Sequence, residues 1–174
     1  MPPDIVRILY ATDLSPNSTH ALRYANMIAR QNDALMTVLH VVEAPSPTTY
    51  ALLSSFLEVS EIKAKRTEQI NYHINQIRRR LDLLCEKECR YDPELAKRVD
   101  RIEVREGFAA EEILKEARDG GCDLIVMGTH GKGALENTFV GSVARRVLRR
   151  TRLPVLVVPL PRDHKGVDLE EEDI

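Results

Sequence analysis

Apolar and polar positions alternate along the chain in blocks rather than residue by residue. Ile5-Val6-Arg7-Ile8-Leu9-Tyr10-Ala11 is apolar with almost no interruption, which suits a strand buried on both faces of a parallel sheet. Thr12-Asp13-Leu14-Ser15-Pro16 ends it; Ser15 can cap a helix, with Pro16 in the first position. Ala21, Leu22, Ala25, Ile28 and Ala29 follow at helical spacing. Leu35 to Val42 reads as a second strand. Beyond a loop with Pro45 and Pro47, and an unpatterned apolar stretch from Thr49 to Leu57, comes a long helix. It carries Ile62, Ile70, Ile74, Ile77, Leu81 and Leu84 on one stripe and a basic, polar opposite face. Glu86 to Asp100 is charged and contains the turn signal Asp92-Pro93, so it reads as a helix end plus an exposed excursion.

The second half repeats the alternation. Arg101 to Glu106 alternates polar and apolar residues, as an outer strand does. Gly107 breaks the chain, and Ala109 to Asp119 forms a short helix closed by Gly120-Gly121. Leu124-Ile125-Val126-Met127 is a buried strand. A glycine loop leads to a helix starting near Val140 or Gly141, with Val143, Ala144, Val147 and Leu148, and Pro154 to Val158 is the last strand. Five strands joined by crossover helices predict an open parallel α/β sheet, order 3-2-1-4-5, with helices on both faces. Ligands bind such sheets beyond the carboxyl ends of strands where the order reverses. Here that point lies between the first and fourth strands, at Ala11-Thr12-Asp13 and Met127-Gly128.

Composition narrows this picture only a little. A chain of 174 residues fits one domain, placed at residues 1–162, with 163–174 as an acidic, flexible tail ending in Glu170-Glu171-Glu172-Asp173. A net charge of −2 gives no general reason to expect nucleic acid as partner. No apolar run approaches the roughly 20 residues of a membrane span. Met1-Pro2-Pro3-Asp4 lacks the basic start of a secretory signal, so a cytoplasmic protein is expected. Cys85 and Cys89 read as reduced helix thiols, since the nearest histidine, His73, is three turns away, and Cys122 reads as a small hydrophobe. Arg145, Arg146, Arg149, Arg150 and Arg152 read as a solvated face whose cations offset the helix dipole.

The candidate chemistry lies in Gly128-Thr129-His130-Gly131-Lys132-Gly133 and in Gly141-Ser142 further on. Glycines let a ligand approach the backbone, and free amides at a helix start favour phosphate. Ser142 can donate a hydroxyl, and Lys132 offers a mobile cation. The Walker pattern is excluded, because Gly131-Lys132 is followed by Gly133 and position 126 is Val126. The first-turn Gly-x-Gly-x-x-Gly pattern is excluded by the loop's place after the fourth strand. His130 has no carboxylate beside it in sequence to orient it for catalysis.

Gly-x-x-Gly, nine residues, then Gly-Ser resembles the nucleotide motif of the universal stress protein family. Ile8 to Ser15, His40-Val41-Val42, Val126 to Gly131 and Pro154 to Val158 resemble that family's strand ends, and the resemblance covers roughly residues 4 to 160. It implies a Rossmann-like sheet of the adenine nucleotide alpha-hydrolase-like kind and membership of the ATP-binding branch. It also implies an adenine-side contact at Asp13, backbone contact to the base at Val41, and a pocket lined by Ala11 and Thr12, with Ala11 where the family often has proline. Gly128 and Gly131 would hold ribose and phosphate, and Gly141, Ser142 and Val143 the phosphates. Met127, His130, Lys132 and Gly133 complete the expected nucleotide-binding set. ATP with Mg²⁺ bridging its phosphates, and a homodimer paired through the last strand, follow from the same resemblance. The expected role is regulatory or protective under stress. A slow ATPase, with Asp13 or His130 positioning water or metal, and a protein-interaction module using residues 49–57 and 86–100 are the alternatives. Asp13 as a simple turn cap is the bland reading of that residue.

Overall fold

The computed structural model describes residues 4–15, 18–43, 48, 51, 59–129 and 140–159. Of α2, the side chains of Ile62, Ile70, His73, Ile77 and Leu81 are outside that set, as are the loop 52–58, the segment 130–139 and residues 160–174. The elements are β1 (Arg7–Thr12), α1 (Ser18–Asn32), β2 (Leu35–Glu43), α2 (Val59–Cys89), α3 (Leu95–Arg98), β3 (Val99–Gly107), α4 (Ala109–Asp119), β4 (Leu124–Gly128), α5 (Ser142–Arg150) and β5 (Val155–Val158). The five strands form one parallel sheet in the order β3-β2-β1-β4-β5. This is the expected order, and it places the reversal between β1 and β4.

The uninterrupted apolar run of β1 is explained by its two covered faces. Ile8 and Tyr10 face one way and join Ala21, Leu22, Ala25 and Ala29 of α1, Leu84 of α2 and Leu95 of α3. Leu9 and Ala11 face the other way and join Ala110, Ile113 and Ala117 of α4 with Ala144 and Val147 of α5. A strand with period-two side chains can bury both sets only between two helix layers. The small residues of α1 let its backbone lie close to the sheet. The Tyr10 hydroxyl, wholly buried, donates to the Ser18 carbonyl at 2.6 Å and so pins the start of α1 to β1.

Asp123 fixes the pairing of the two central strands at the end opposite the switch point. Its carboxylate accepts the backbone N–H groups of Val6 and Arg7, each at 2.9 Å, while its own N–H donates to the Arg7 carbonyl. Just before it, Gly120 and Gly121 end α4 for two different reasons. Gly121 has φ +61, a left-handed conformation that glycine adopts without strain, and Cys122 N–H closes back on the Ala117 carbonyl. Gly120 has an ordinary φ, but a Cβ there would lie 2.8 Å from the Glu116 carbonyl and 3.1 Å from Arg101.

The segment 86–100 is a helix end and a mostly exposed turn, as expected, but it also contributes to the core. α2 continues to Cys89, and after one turn α3 buries Leu95 to 1% in the core. Glu88, also buried, accepts a two-pronged hydrogen bond from Arg23 of α1 at 2.8 and 3.0 Å. Asp92 accepts from Asn26 at 2.8 Å and from Arg98 at 3.1 Å, and Arg98 also reaches Asn26. Three of its charges, Glu88, Asp92 and Arg98, are therefore paired against α1, while Glu86, Arg90, Glu94, Lys97 and Asp100 are exposed. The hydrogen bond from Asn26, helped by the Glu94 N–H and Arg98, holds the Asp92 carboxyl below the usual carboxylate range. A depressed folded-state pKa contributes stability that is complete above the unfolded value and is lost as pH falls through the folded one. Asp92→Asn is therefore expected to flatten the acid limb of a pH–stability curve below about pH 4. Urea melts at stepped pH check this; an unchanged acid limb would contradict it.

All three cysteines are free thiols. Burial raises the Cys85 thiol to about 12 and the Cys122 thiol to about 11. Both stay protonated at neutral pH, in keeping with the reading of Cys85 as a reduced helix thiol and of Cys122 as a small hydrophobe.

Candidate functional site

Every described residue of the expected site lies at the carboxyl end of the sheet or at the start of α5. Ala11 and Thr12 end β1, Met127 and Gly128 end β4, and Ala11 is paired in register with Met127. Val41 lies one position beyond His40, the partner of Thr12 in β2. Gly141 caps α5, and Ser142 and Val143 are its first two residues. His130, Gly131, Lys132 and Gly133 lie outside the described residues.

The turn after β1 is held by its own polar side chains. Thr12 Oγ1 accepts the Leu14 N–H at 3.1 Å, and Asp13 Oδ1 accepts the Ser15 N–H at 3.0 Å. Leu14 stands between them at φ +60, a left-handed conformation that costs a branched residue about 1–2 kcal/mol. Burial of its side chain at 8% exposure, inside the α1 core, offsets that cost. Asp13 thus does cap its turn, and the cap uses one of its two carboxylate oxygens. Ser15 differs from the expected helix cap. Its carbonyl accepts the Ser18 N–H and Ser18 hydroxyl, and its own buried hydroxyl has no hydrogen-bond partner among the described residues.

Two residues outside the expected nucleotide-binding set organise the site. His40 Nδ1 donates to the Thr12 carbonyl at 2.8 Å, which ties the end of β2 to the end of β1. The carbonyl can only accept, so this contact sets the proton on Nδ1. Thr129, buried, donates its N–H to the Val158 carbonyl at 2.9 Å and accepts the Gly141 N–H at 2.7 Å. One residue thereby holds the ends of β4 and β5 and the cap of α5 together. Neither role is visible without the register, because the partners are far apart in sequence.

The start of α5 has the features of an anion-binding end. The first intrahelical bond runs from Arg145 N–H to the Gly141 carbonyl, so the amides of Ser142, Val143 and Ala144 have no partner further back in the helix. Its first turn carries no acidic residue. The amides and the helix dipole both favour negative charge there. Gly141 has φ −62 and ψ 163, which any residue can adopt, so glycine is not needed there for conformation. Among the described residues, no group of three or more His, Cys, Asp or Glu side chains could hold a metal ion. No helix among them is long and apolar enough to cross a membrane.

Comparison with known proteins agrees with this architecture. The model of the universal stress protein family matches residues 5–159. Universal stress protein MJ0577 of Methanocaldococcus jannaschii is 30% identical over 163 residues, covering 87% of this chain and 93% of its own. Universal stress protein YxiE of Bacillus subtilis is 28% identical over 152 residues, covering 87% and 97%. The solved structure of MJ0577 superposes with a TM-score of 0.61 at 27% identity, over 91% of this chain and 99% of that one. A universal stress protein in complex with cAMP shares the fold at a TM-score of 0.52 and 19% identity, over 90% and 98%.

Proposed function

The chain belongs to the universal stress protein family, and from that premise we propose that it binds an adenine nucleotide, as ATP, and acts as a regulatory or protective protein of the cytoplasmic stress response. The observation that carries the reading is the convergence at the switch point. The start of α5 is hydrogen-bonded through Thr129 to the ends of β4 and β5, and β4 lies beside the Asp13 end of β1. Phosphates would lie on the Gly141–Val143 amides, with Ser142 donating its hydroxyl. The base would lie toward Asp13 and Val41, over Ala11, Thr12 and Met127. Gly128, Gly131, Lys132, Gly133 and His130 would close the loop side. The neighbour in complex with cAMP lends support to an adenine nucleotide as ligand class.

Mg²⁺ fits this donor set only as a companion of the phosphates. Asp13 is the single carboxylate among the described site residues, and one of its oxygens caps the turn. Mg²⁺ keeps several waters and is commonly held through one or two carboxylates plus substrate phosphates. When bound, it would neutralise phosphate charge, while the chain's own amides and hydroxyls orient the nucleotide. The proposed role is binding, which the amides at the start of α5 support.

A homodimer through β5 belongs to the same reading. β5 is an edge strand with Val155, Leu156 and Val157 only half-buried, and an apolar edge of this kind favours pairing. Native mass spectrometry of the gently purified protein, followed by ATP titration, tests both parts. A mass of two chains carrying adenine nucleotide is expected. Absence of bound nucleotide together with no uptake on titration would sink the binding reading, and a one-chain mass would sink the dimer.

A further inference from the structure

α5 carries four arginines in nine residues and no acidic residue. Ala144 and Val147 face the core, while Arg145, Arg146, Arg149 and Arg150 are all exposed. The pairs 145/149 and 146/150 are each four apart, so like charges stack along the outer face, an arrangement that destabilises a helix left to itself. Arg149 and Arg150 lie in the last turn, where they offset the dipole. Arg145 is only the fourth residue, too near the positive end for that explanation. Arg150 reaches Glu111 at 3.3 Å, both largely exposed. Among the described residues, no carboxylate is paired with Arg145, Arg146 or Arg149. Arg152 adds a fifth cation just beyond the helix.

The chain itself contains a matching polyanion. Asp168, Glu170, Glu171, Glu172 and Asp173 lie within six positions. The described chain leaves the sheet at Val158 and Pro159, beside the start of α5, because Thr129 bonds both Val158 and Gly141. Eight residues lie between Pro159 and Asp168, a reach of up to about 30 Å. α5 is about 14 Å long. We infer that the acidic segment 168–173 docks on the arginine face of α5 in its own chain and screens that face from other polyanions. Five carboxylates can meet Arg145, Arg146, Arg149 and Arg152 and share Arg150 with Glu111, and the short tether favours the chain's own segment over an external anion by effective concentration. Among exposed ions such an association is salt-sensitive.

The test uses the full chain and a full-length neutralised variant: Asp168→Asn, Glu170→Gln, Glu171→Gln, Glu172→Gln and Asp173→Asn. Backbone amide and arginine side-chain N–H resonances are compared in the ¹⁵N-labelled proteins. The resonances of Arg145, Arg146, Arg149 and Arg150 are expected to shift between the two, and high salt should move the unmodified protein toward the variant. With single-stranded DNA as a generic polyanion, the variant should bind about tenfold more tightly at low salt. Arg145→Glu with Arg149→Glu, added to the variant, should remove that gain. Identical α5 resonances in the two proteins would overturn the inference. Equal DNA affinity would also overturn it and leave the face open to polyanions. Shifts that vanish on dilution would overturn the same-chain occupant and assign the segment to a second copy.

Discussion

Gly141→Leu is expected to lower ATP affinity at least about 100-fold, a loss of about 2.7 kcal/mol, with the protein still folded. The expectation rests on the conformation of Gly141. Its φ of −62 and ψ of 163 are open to leucine, so the backbone has no reason to move. Replacing glycine at the cap position costs the helix of order 1 kcal/mol or less. What leucine removes is the close approach of a phosphate to the Ser142 and Val143 amides. Calorimetric titration with ATP, alongside a melting curve, separates the two effects. Gly131→Leu, chosen from the spacing of the loop, is the companion variant. Unchanged affinity in both would show that the phosphates lie elsewhere. A Gly141→Leu protein that binds normally and melts early would make the glycine a matter of stability alone.

The second large effect concerns stability. Glu116 is 1% exposed on α4, with Oε1 2.8 Å from Arg101 and Oε2 bonded to Arg105, both on the edge strand β3. Glu116→Gln keeps the shape and removes the charge. Breaking a fully buried ion pair costs about 3–5 kcal/mol. Here both arginines retain access to water, with 40% and 28% of their side chains exposed, so a loss of about 2 kcal/mol is expected. At this chain length that lowers Tm by roughly 4–8 °C. Glu112 provides the control. It lies on the same helix, 3.7 Å from Arg105 and 22% exposed, and Glu112→Gln should cost under about 1 kcal/mol. Equal losses for the two variants would mean that burial does not set the strength of these pairs.

Much of the sheet is legible in sequence because both of its faces are covered. Ile8 to Ala11 and Leu124 to Met127 are apolar at every position, and only a strand between two helix layers needs that. The core contribution of the stretch 86–100 is not legible because Glu88, Asp92 and Arg98 are satisfied by residues 65 to 72 positions away. Arg23 with Glu88, and Asn26 with Asp92 and Arg98, become partners only when α1 packs against the end of α2 and against α3. Glu116 did leave a local signal. It falls on the stripe of Ala110, Ile113 and Ala117, where an apolar residue would be ordinary. The strand ends that frame the candidate site follow from topology, since a 3-2-1-4-5 order fixes where the reversal lies. The contacts of His40 and Thr129 depend on register, which periodicity does not supply.

The pairing of β1 with β4 joins residues more than a hundred positions apart, and Asp123 clamps the two strands at the far end from the switch point. The two halves of the site thus come from opposite ends of the chain, and neither exists near the other until the last strands are in place. A ligand spanning them can recognise only the finished fold. It would act as a selective stabiliser of the native state, raising the melting temperature with its own concentration. Fragments ending before β4 should have no measurable affinity. Because such long-range parallel contacts form late and slowly, the proposed nucleotide would find its site on a newly made chain only after the last strands have paired.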